Sequence, residues 1–161
     1  IEAMSVFAEK SGPFGMLGGQ SVDVLFTGKN PEKERLDYIY RLKTCALIEA
    51  SMMIGAILAG ADKECVADFE NIGRSVGLAF QIQDDILDCT GDAAIIGKPL
   101  NSDEKNGKTT YVTLFGIDVA RAEVGRLSEN AKLVLNNIKS ADETEKGFLL
   151  WLIESLVKRV Y

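Results

Sequence analysis

The chain is expected to fold as an all-α helical bundle, and three observations predict it. Apolar residues recur at helical spacing through almost every segment of the 161 residues. No strand-like alternation persists, and no internal repeat is visible. Breaks such as Ser11-Gly12-Pro13 and Gly28-Lys29-Asn30-Pro31 punctuate the periodic segments. At this length one domain with a substantial core is expected.

Residues 1–10 read as a helix that ends at Ser11-Gly12-Pro13. Helical pattern resumes over 14–27, where Gly15, Gly18 and Gly19 permit close approach of a neighbour. After the turn at 28–31, a long helix is predicted over 32–61, with a candidate interruption near Lys43. Residues 45–61 are nearly all apolar, yet they include Glu49 and fall short of the roughly 20 residues that a membrane span needs. Ala, Gly and Met dominate them, which suits a tightly packed core helix. Ala61-Asp62 marks a turn before a helix over 63–89. Residues 90–107 hold Gly91, Gly97, Pro99, Asn101, Asn106 and Gly107, and a loop of this length within one domain is usually functional or disordered. A single helix is predicted over 109–138. A final amphipathic helix is predicted over 141–161, with Phe148, Trp151, Ile153, Leu156 and Val160 as its apolar positions.

Composition excludes several chemistries. The net charge of −6, with no basic stripe, argues against a nucleic-acid partner. Histidine is absent, which removes Ser-His-Asp and Cys-His catalysis and His-ligated zinc. Cys45, Cys65 and Cys89 form no C-x-x-C, so each reads as a small core residue in a reducing, cytoplasmic setting. The chain opens on Ile1 inside a helical pattern, without a signal peptide, and is expected to be a piece of a longer protein.

The most informative run is Phe80-Gln81-Ile82-Gln83-Asp84-Asp85-Ile86-Leu87-Asp88. Gln81, Asp84, Asp85 and Asp88 stand at i, i+3, i+4 and i+7, so on a helix they share one face. Apolar residues cover the rest. A solvated acidic face would carry Lys, Glu and Ser nearby; residues 76–88 carry none. Such a helix is expected inside the bundle with its carboxylates directed into a cavity. Buried carboxylates need a cation. An all-oxygen donor set favours a hard ion, and Mg2+ commonly completes its shell with water and phosphate oxygens. The stripe therefore suggests a Mg2+-diphosphate site.

Fixed cations occur where such a site would want them. Lys43-Thr44 opens the apolar stretch of 45–61, at the mouth of a core. Lys98 and Lys108 each follow a glycine in the loop that leaves the acidic helix, where glycine lets backbone approach a ligand. Gln20 and Asp23 add a polar i, i+3 pair on the Gly-rich helix.

Taken together, these residues resemble the trans-type isoprenyl diphosphate synthases, the family of farnesyl and geranylgeranyl diphosphate synthases. Gly15-Met16-Leu17-Gly18-Gly19-Gln20 with Asp23 resembles the family's glycine-rich motif. Lys43-Thr44 resembles its K-T motif, and Phe80-Gln81 with Asp84-Asp85 and Asp88 its second aspartate-rich motif. Gly97-Lys98 and Gly107-Lys108-Thr109-Thr110-Tyr111 resemble the lysine motifs that follow. The resemblance implies condensation of an allylic diphosphate with isopentenyl diphosphate, assisted by Mg2+. It implies that Asp84, Asp85 and Asp88 bind metal directly or through water. Lys43, Lys98 and Lys108 would hold the allylic diphosphate, Thr44 and Gln81 would steady the cation and diphosphate, and Gln20 and Asp23 would line the same cavity. A homodimer without stable membrane insertion is also implied.

Departures are equally specific. No second D-D-x-x-D or D-D-x-x-x-x-D occurs, so the family's first aspartate-rich motif is missing, as are its upstream residues for isopentenyl diphosphate. Val112 stands where many members have proline. The chain is thus expected to be the C-terminal part of a synthase, with Trp151 and the final helix packed at the closing end of the bundle. Alone it is not expected to elongate chains. Lys158-Arg159 reads as a solvated tail, with a place near the second diphosphate as the alternative. The alternative function, a non-catalytic partner subunit of a prenyl synthase, would be expected to lose the metal carboxylates, and these are retained.

Overall fold

A computed structural model describes residues 1–29, 31–90, 108–139 and 143–159. The described residues form helices and connecting turns, with no strand among them. Helix α1 spans Glu2–Ser11, α2 Met16–Phe26 and α3 Lys33–Tyr40. A π-helical turn, Arg41–Cys45, joins α3 to α4, Ala46–Leu58. Helix α5 spans Lys63–Thr90. The short α6 (Tyr111–Phe115), then α7 (Ile117–Asn137) and α8 (Glu143–Val157), complete the described chain.

Helix α5 is the axis of the bundle. Its 28 residues run about 42 Å at 1.5 Å per residue. Asp62 caps its start, with Oδ1 accepting from the Cys65 N–H at 2.9 Å. Ile72, Val76, Ala79, Ile82 and Ile86 form a stripe at helical spacing, and this stripe divides between two core clusters. Near the helix's end, Ala79, Ile82 and Ile86 meet Leu36, Ile39, Tyr40, Tyr111, Val124 and Leu127. Near its start, Ile72 and Val76 meet Ala131, Leu135, Ile138 and Ile153.

Two glycine contacts press neighbours onto the π-turn. A Cβ at Gly19 would lie 2.3 Å from the Lys43 backbone nitrogen, so only glycine admits this approach of α2. A Cβ at Gly77 would lie 2.8 Å from Cys45 Cα, which sets the spacing of α5 from the same turn. The interruption expected near Lys43 is this π-turn: one extra residue wedged between helices that otherwise continue each other.

A network of charges ties α1 to the middle of the bundle. Lys10 donates to Glu49 and, at 2.6 Å, to Glu70. Arg74 donates to the same two carboxylates at 3.1 and 3.2 Å. Glu49 is 3% exposed, so its charge is stabilised by paired cations and not by water. Burial opposes the charge on Lys10, but the bonds to Glu49 and Glu70 outweigh it and hold its pKa above the usual lysine range. Burial likewise opposes the Glu70 carboxylate, and Lys10 and Arg74 overcome it and hold Glu70 below the usual range.

The structure departs from the sequence reading in three places. The helix expected over 109–138 is two helices. Thr110 caps α6 through a capping box with Thr113, and Gly116, at φ 82°, turns the chain before α7. Trp151 does not pack into the closing end of the bundle; it is 62% exposed. Phe148 and Trp151 share an outward face with ring centroids 5.9 Å apart, whereas Leu149, Ile153 and Leu156 turn inward. The three-residue spacing of the aromatics puts them one beside the other, off the i, i+4, i+7 stripe that reaches the core. Finally, Arg159 is not a solvated tail: its guanidinium lies over the Phe80 ring, 3.5 Å from the centroid. Lys158 does point outward and pairs with Glu154. Most of the expected loop over 90–107, with Lys98, lies outside the described residues, as does Val160. No helix among the described residues is long and apolar enough to cross a membrane.

Candidate functional site

Four segments distant in sequence converge on one pocket. Asp23 comes from α2, Lys43 and Thr44 from the π-turn, Gln81 and Asp85 from α5, and Lys108, Thr109 and Thr110 from the segment that enters α6. Tyr40, Leu36, Ile39 and Phe26 form the apolar wall. The interior holds about 50 Å³, enough for a few waters or the oxygens of a small anion and not for an isoprenoid chain.

The π-turn explains how two polar neighbours reach this place. Widening the helix by one residue turns Lys43 and Thr44 toward α2 and α5 while Cys45 drops into the core at 1% exposed. Lys43 Nζ donates to Asp23 Oδ2 at 2.6 Å. Thr44 Oγ1 donates to Gln81 Oε1 at 2.8 Å. Thr44 therefore holds the Gln81 amide in one orientation, with its NH2 group directed away from the shared bond. Burial, with Glu49 adding to it, pushes the Cys45 thiol up to about 12, so Cys45 offers no thiolate near neutral pH.

The acidic stripe is divided by the structure. Asp85 is 2% exposed, and its Oδ2 accepts from the Tyr40 hydroxyl at 2.6 Å and from the Tyr111 backbone N–H at 2.8 Å. It stitches α3, α5 and α6 together at the floor of the pocket. Asp88 is also 2% exposed. Asp84 has a half-exposed carboxylate and forms an ion pair with Arg159 from the far end of the chain. The three carboxylates share a face in projection, yet they have different surroundings.

Of the residues singled out by sequence, the pocket gathers Asp23, Lys43, Thr44, Gln81, Asp85 and Lys108. Gln20, expected in the same cavity, lies one turn before Asp23 on α2 and is not part of the lining. Asp84 sits outside the pocket beside Arg159, and Lys98 lies outside the described residues. Sequence reasoning missed Tyr40. Tyr40 carried a signal, since a tyrosine three residues before Lys43 stands on the same helical face. Arg159 was expected in a solvated tail, with a place near the second diphosphate as the alternative, and the structure sets it on Phe80 and Asp84.

The donor set at this end of α5 is all oxygen, which fits a hard divalent cation. Asp84, partly open to solvent, is the carboxylate best placed to reach one. Among the described residues, no three acidic or thiol groups converge as a ready-made cage.

Comparisons with known proteins identify the family. Residues 1–148 match the polyprenyl synthetase family. The farnesyl diphosphate synthase of Escherichia coli is 40% identical over 139 residues, covering 86% of this chain and 46% of that protein. Heptaprenyl diphosphate synthase from Staphylococcus aureus superposes with a TM-score of 0.91 over 99% of this chain and 60% of that chain, at 23% identity, a likeness of fold. A geranyltransferase from Helicobacter pylori, solved in complex with magnesium and isoprenyl diphosphate, superposes with a TM-score of 0.84 at 30% identity. It covers 98% of this chain and 52% of that one. The chain spans under half the length of the curated relatives it matches. Its ordered motifs, its helical bundle and its match over 1–148 place this chain in the polyprenyl synthetase family, the trans-type isoprenyl diphosphate synthases.

Proposed function

We infer that this chain supplies the part of a prenyltransferase that binds the diphosphate of an allylic substrate, for condensation with isopentenyl diphosphate into a short-chain isoprenyl diphosphate. The observation that carries the reading is the convergence of Lys43, Thr44, Gln81 and Lys108 from three separate segments on one small polar pocket. Its volume suits a diphosphate end, with the hydrocarbon lying outside. The relatives named above are synthases and transferases of isoprenyl diphosphates, which supports the substrate class.

Lys43 and Lys108 supply point charges for diphosphate oxygens, and Lys98 is assigned the same role from its motif. Asp23 holds the Lys43 ammonium in place at 2.6 Å, so the cation is positioned for an anion. Thr44 keeps the Gln81 amide oriented toward the substrate side. Gln20 has no place in the pocket lining and keeps only its motif assignment. Mg2+, when bound, supplies electrophilic assistance to departure of the diphosphate. Asp84 would hold it, with Asp88 and Asp85 acting behind it, Asp85 by fixing the helices. One or two carboxylates of this chain would be enough to hold such an ion.

The expected homodimer would cover Met4, Phe7, Leu17, Val24 and Leu25, exposed apolar residues of α1 and α2. Three free thiols suit a reducing, cytoplasmic location.

Lys43→Met in the full-length protein tests the reading. Steady-state kinetics should show kcat/KM for the allylic diphosphate reduced by about 100-fold, the scale of a lost charge-assisted contact of about 2 to 3 kcal/mol. An unchanged kcat/KM would remove Lys43 from the site.

A further inference from the structure

Arg159 is held by several contacts at once. Its guanidinium covers the Phe80 ring at 3.5 Å from the centroid, donates to the Phe80 carbonyl at 3.1 Å, and pairs with the Asp84 carboxylate. Gln83 Nε2 donates to the Arg159 carbonyl at 3.4 Å, so the backbone is tethered as well. All these partners lie on one turn of α5, on the side of the acidic stripe that carries Asp84. The fit is incomplete: Arg159 Nε is buried and has no acceptor among the described residues. A guanidinium with an orphaned buried donor gains solvation when it leaves.

We propose that Arg159 is an internal substitute for the divalent cation at Asp84, a latch that competes with metal for that carboxylate. The proposal rests on the reading of Asp84 as a metal-binding group. Asp84 carries one negative charge, and a cation that coordinates it displaces the guanidinium from it. Metal affinity is then lowered by the fraction of molecules in which the latch is closed. The orphaned Nε keeps the latch weak enough to yield. Linkage makes the effect mutual, so metal binding releases Arg159.

Mn2+ binding to the full-length protein, measured by the loss of the free-ion electron paramagnetic resonance signal, tests this without turnover. Wild type, Arg159→Gln and Asp84→Asn are compared. Arg159→Gln should bind Mn2+ about five- to tenfold more tightly, the lower end of typical coupling between sites. In wild type, the Arg159 side-chain N–H resonance, assigned by its absence from Arg159→Gln, should shift toward a solvent-exposed position as diamagnetic Mg2+ is added. If Asp84→Asn weakens Mn2+ binding while Arg159→Gln leaves it unchanged or weaker, the latch is overturned and the metal reading stands. If Asp84→Asn leaves Mn2+ binding unchanged, the metal reading falls, and the latch with it.

Discussion

Neighbouring carboxylates on one helix turn do opposite work. Asp85 is an interior acceptor, while Asp84 keeps its carboxylate half open. Asp85→Ala removes the carboxylate that accepts from both the Tyr40 hydroxyl and the Tyr111 N–H, so a loss of about 3 kcal/mol is expected in urea unfolding. Tyr40→Phe removes one donor and leaves the other bond intact; it should be milder, about 1 kcal/mol. Asp84→Ala should leave the unfolding midpoint nearly unchanged yet lower Mg2+-dependent turnover of the full-length protein by several orders of magnitude. Wild-type-like turnover would dismiss the assignment. The stripe itself was legible, because i, i+3, i+4, i+7 spacing is a property of one short run. The division of labour within it was not. It depends on Tyr40 and Tyr111, which lie 45 and 26 residues away from Asp85 in the chain. Periodicity reports which residues share a face and does not report what stands opposite them.

At the level of helices, closeness is set by what glycine omits. Gly77→Ala places a methyl group 2.8 Å from Cys45 Cα and 3.0 Å from its Cβ and Sγ, and backbone cannot yield as a flexible side chain can. Helix α5 must move off the π-turn. Calorimetry should show a loss of about 1–3 kcal/mol. The shift should also stretch the Thr44–Gln81 bond, so substrate affinity should fall together with stability. The glycines of α2 were read from sequence as sites of close approach, and Gly19 is one. Gly116 was read through, since a lone glycine in a helical pattern is tolerated, and its positive φ follows from the tertiary need to turn α7 back along α5. The face of α8 was likewise ambiguous, because Phe148 and Trp151 are as apolar as the residues that reach the core.

Across the whole molecule, the Lys10–Glu49–Glu70–Arg74 network joins α1, α4 and α5, and it predicts a pH profile. Glu70 is held below its ordinary 4.5, so its contribution is present above 4.5 and is lost as pH falls through the lower folded value. Lys10 is held above its ordinary 10.5, so its contribution is present below 10.5 and is lost as pH rises through the higher folded value. Thermal midpoints should therefore hold level between these limits and fall on both sides. Lys10→Met should weaken the alkaline limb and lower the midpoint at neutral pH by about 6 °C, corresponding to about 2 kcal/mol. A midpoint unchanged in Lys10→Met would show that α1 is held by its apolar contacts alone. Network and pocket use different residues, so this substitution should leave diphosphate affinity intact.

The π-turn at Arg41–Cys45 has a genetic consequence. Each residue of an α-helix advances the chain by about 100°. Deleting one codon within 41–45 would restore a plain helix and swing everything before it by that angle relative to everything after it. Tyr40 and Asp85 could not then meet while Lys43 and Thr44 faced the pocket. A gene of this kind tolerates many letter changes along these helices, but a three-nucleotide deletion here dismantles core and site together.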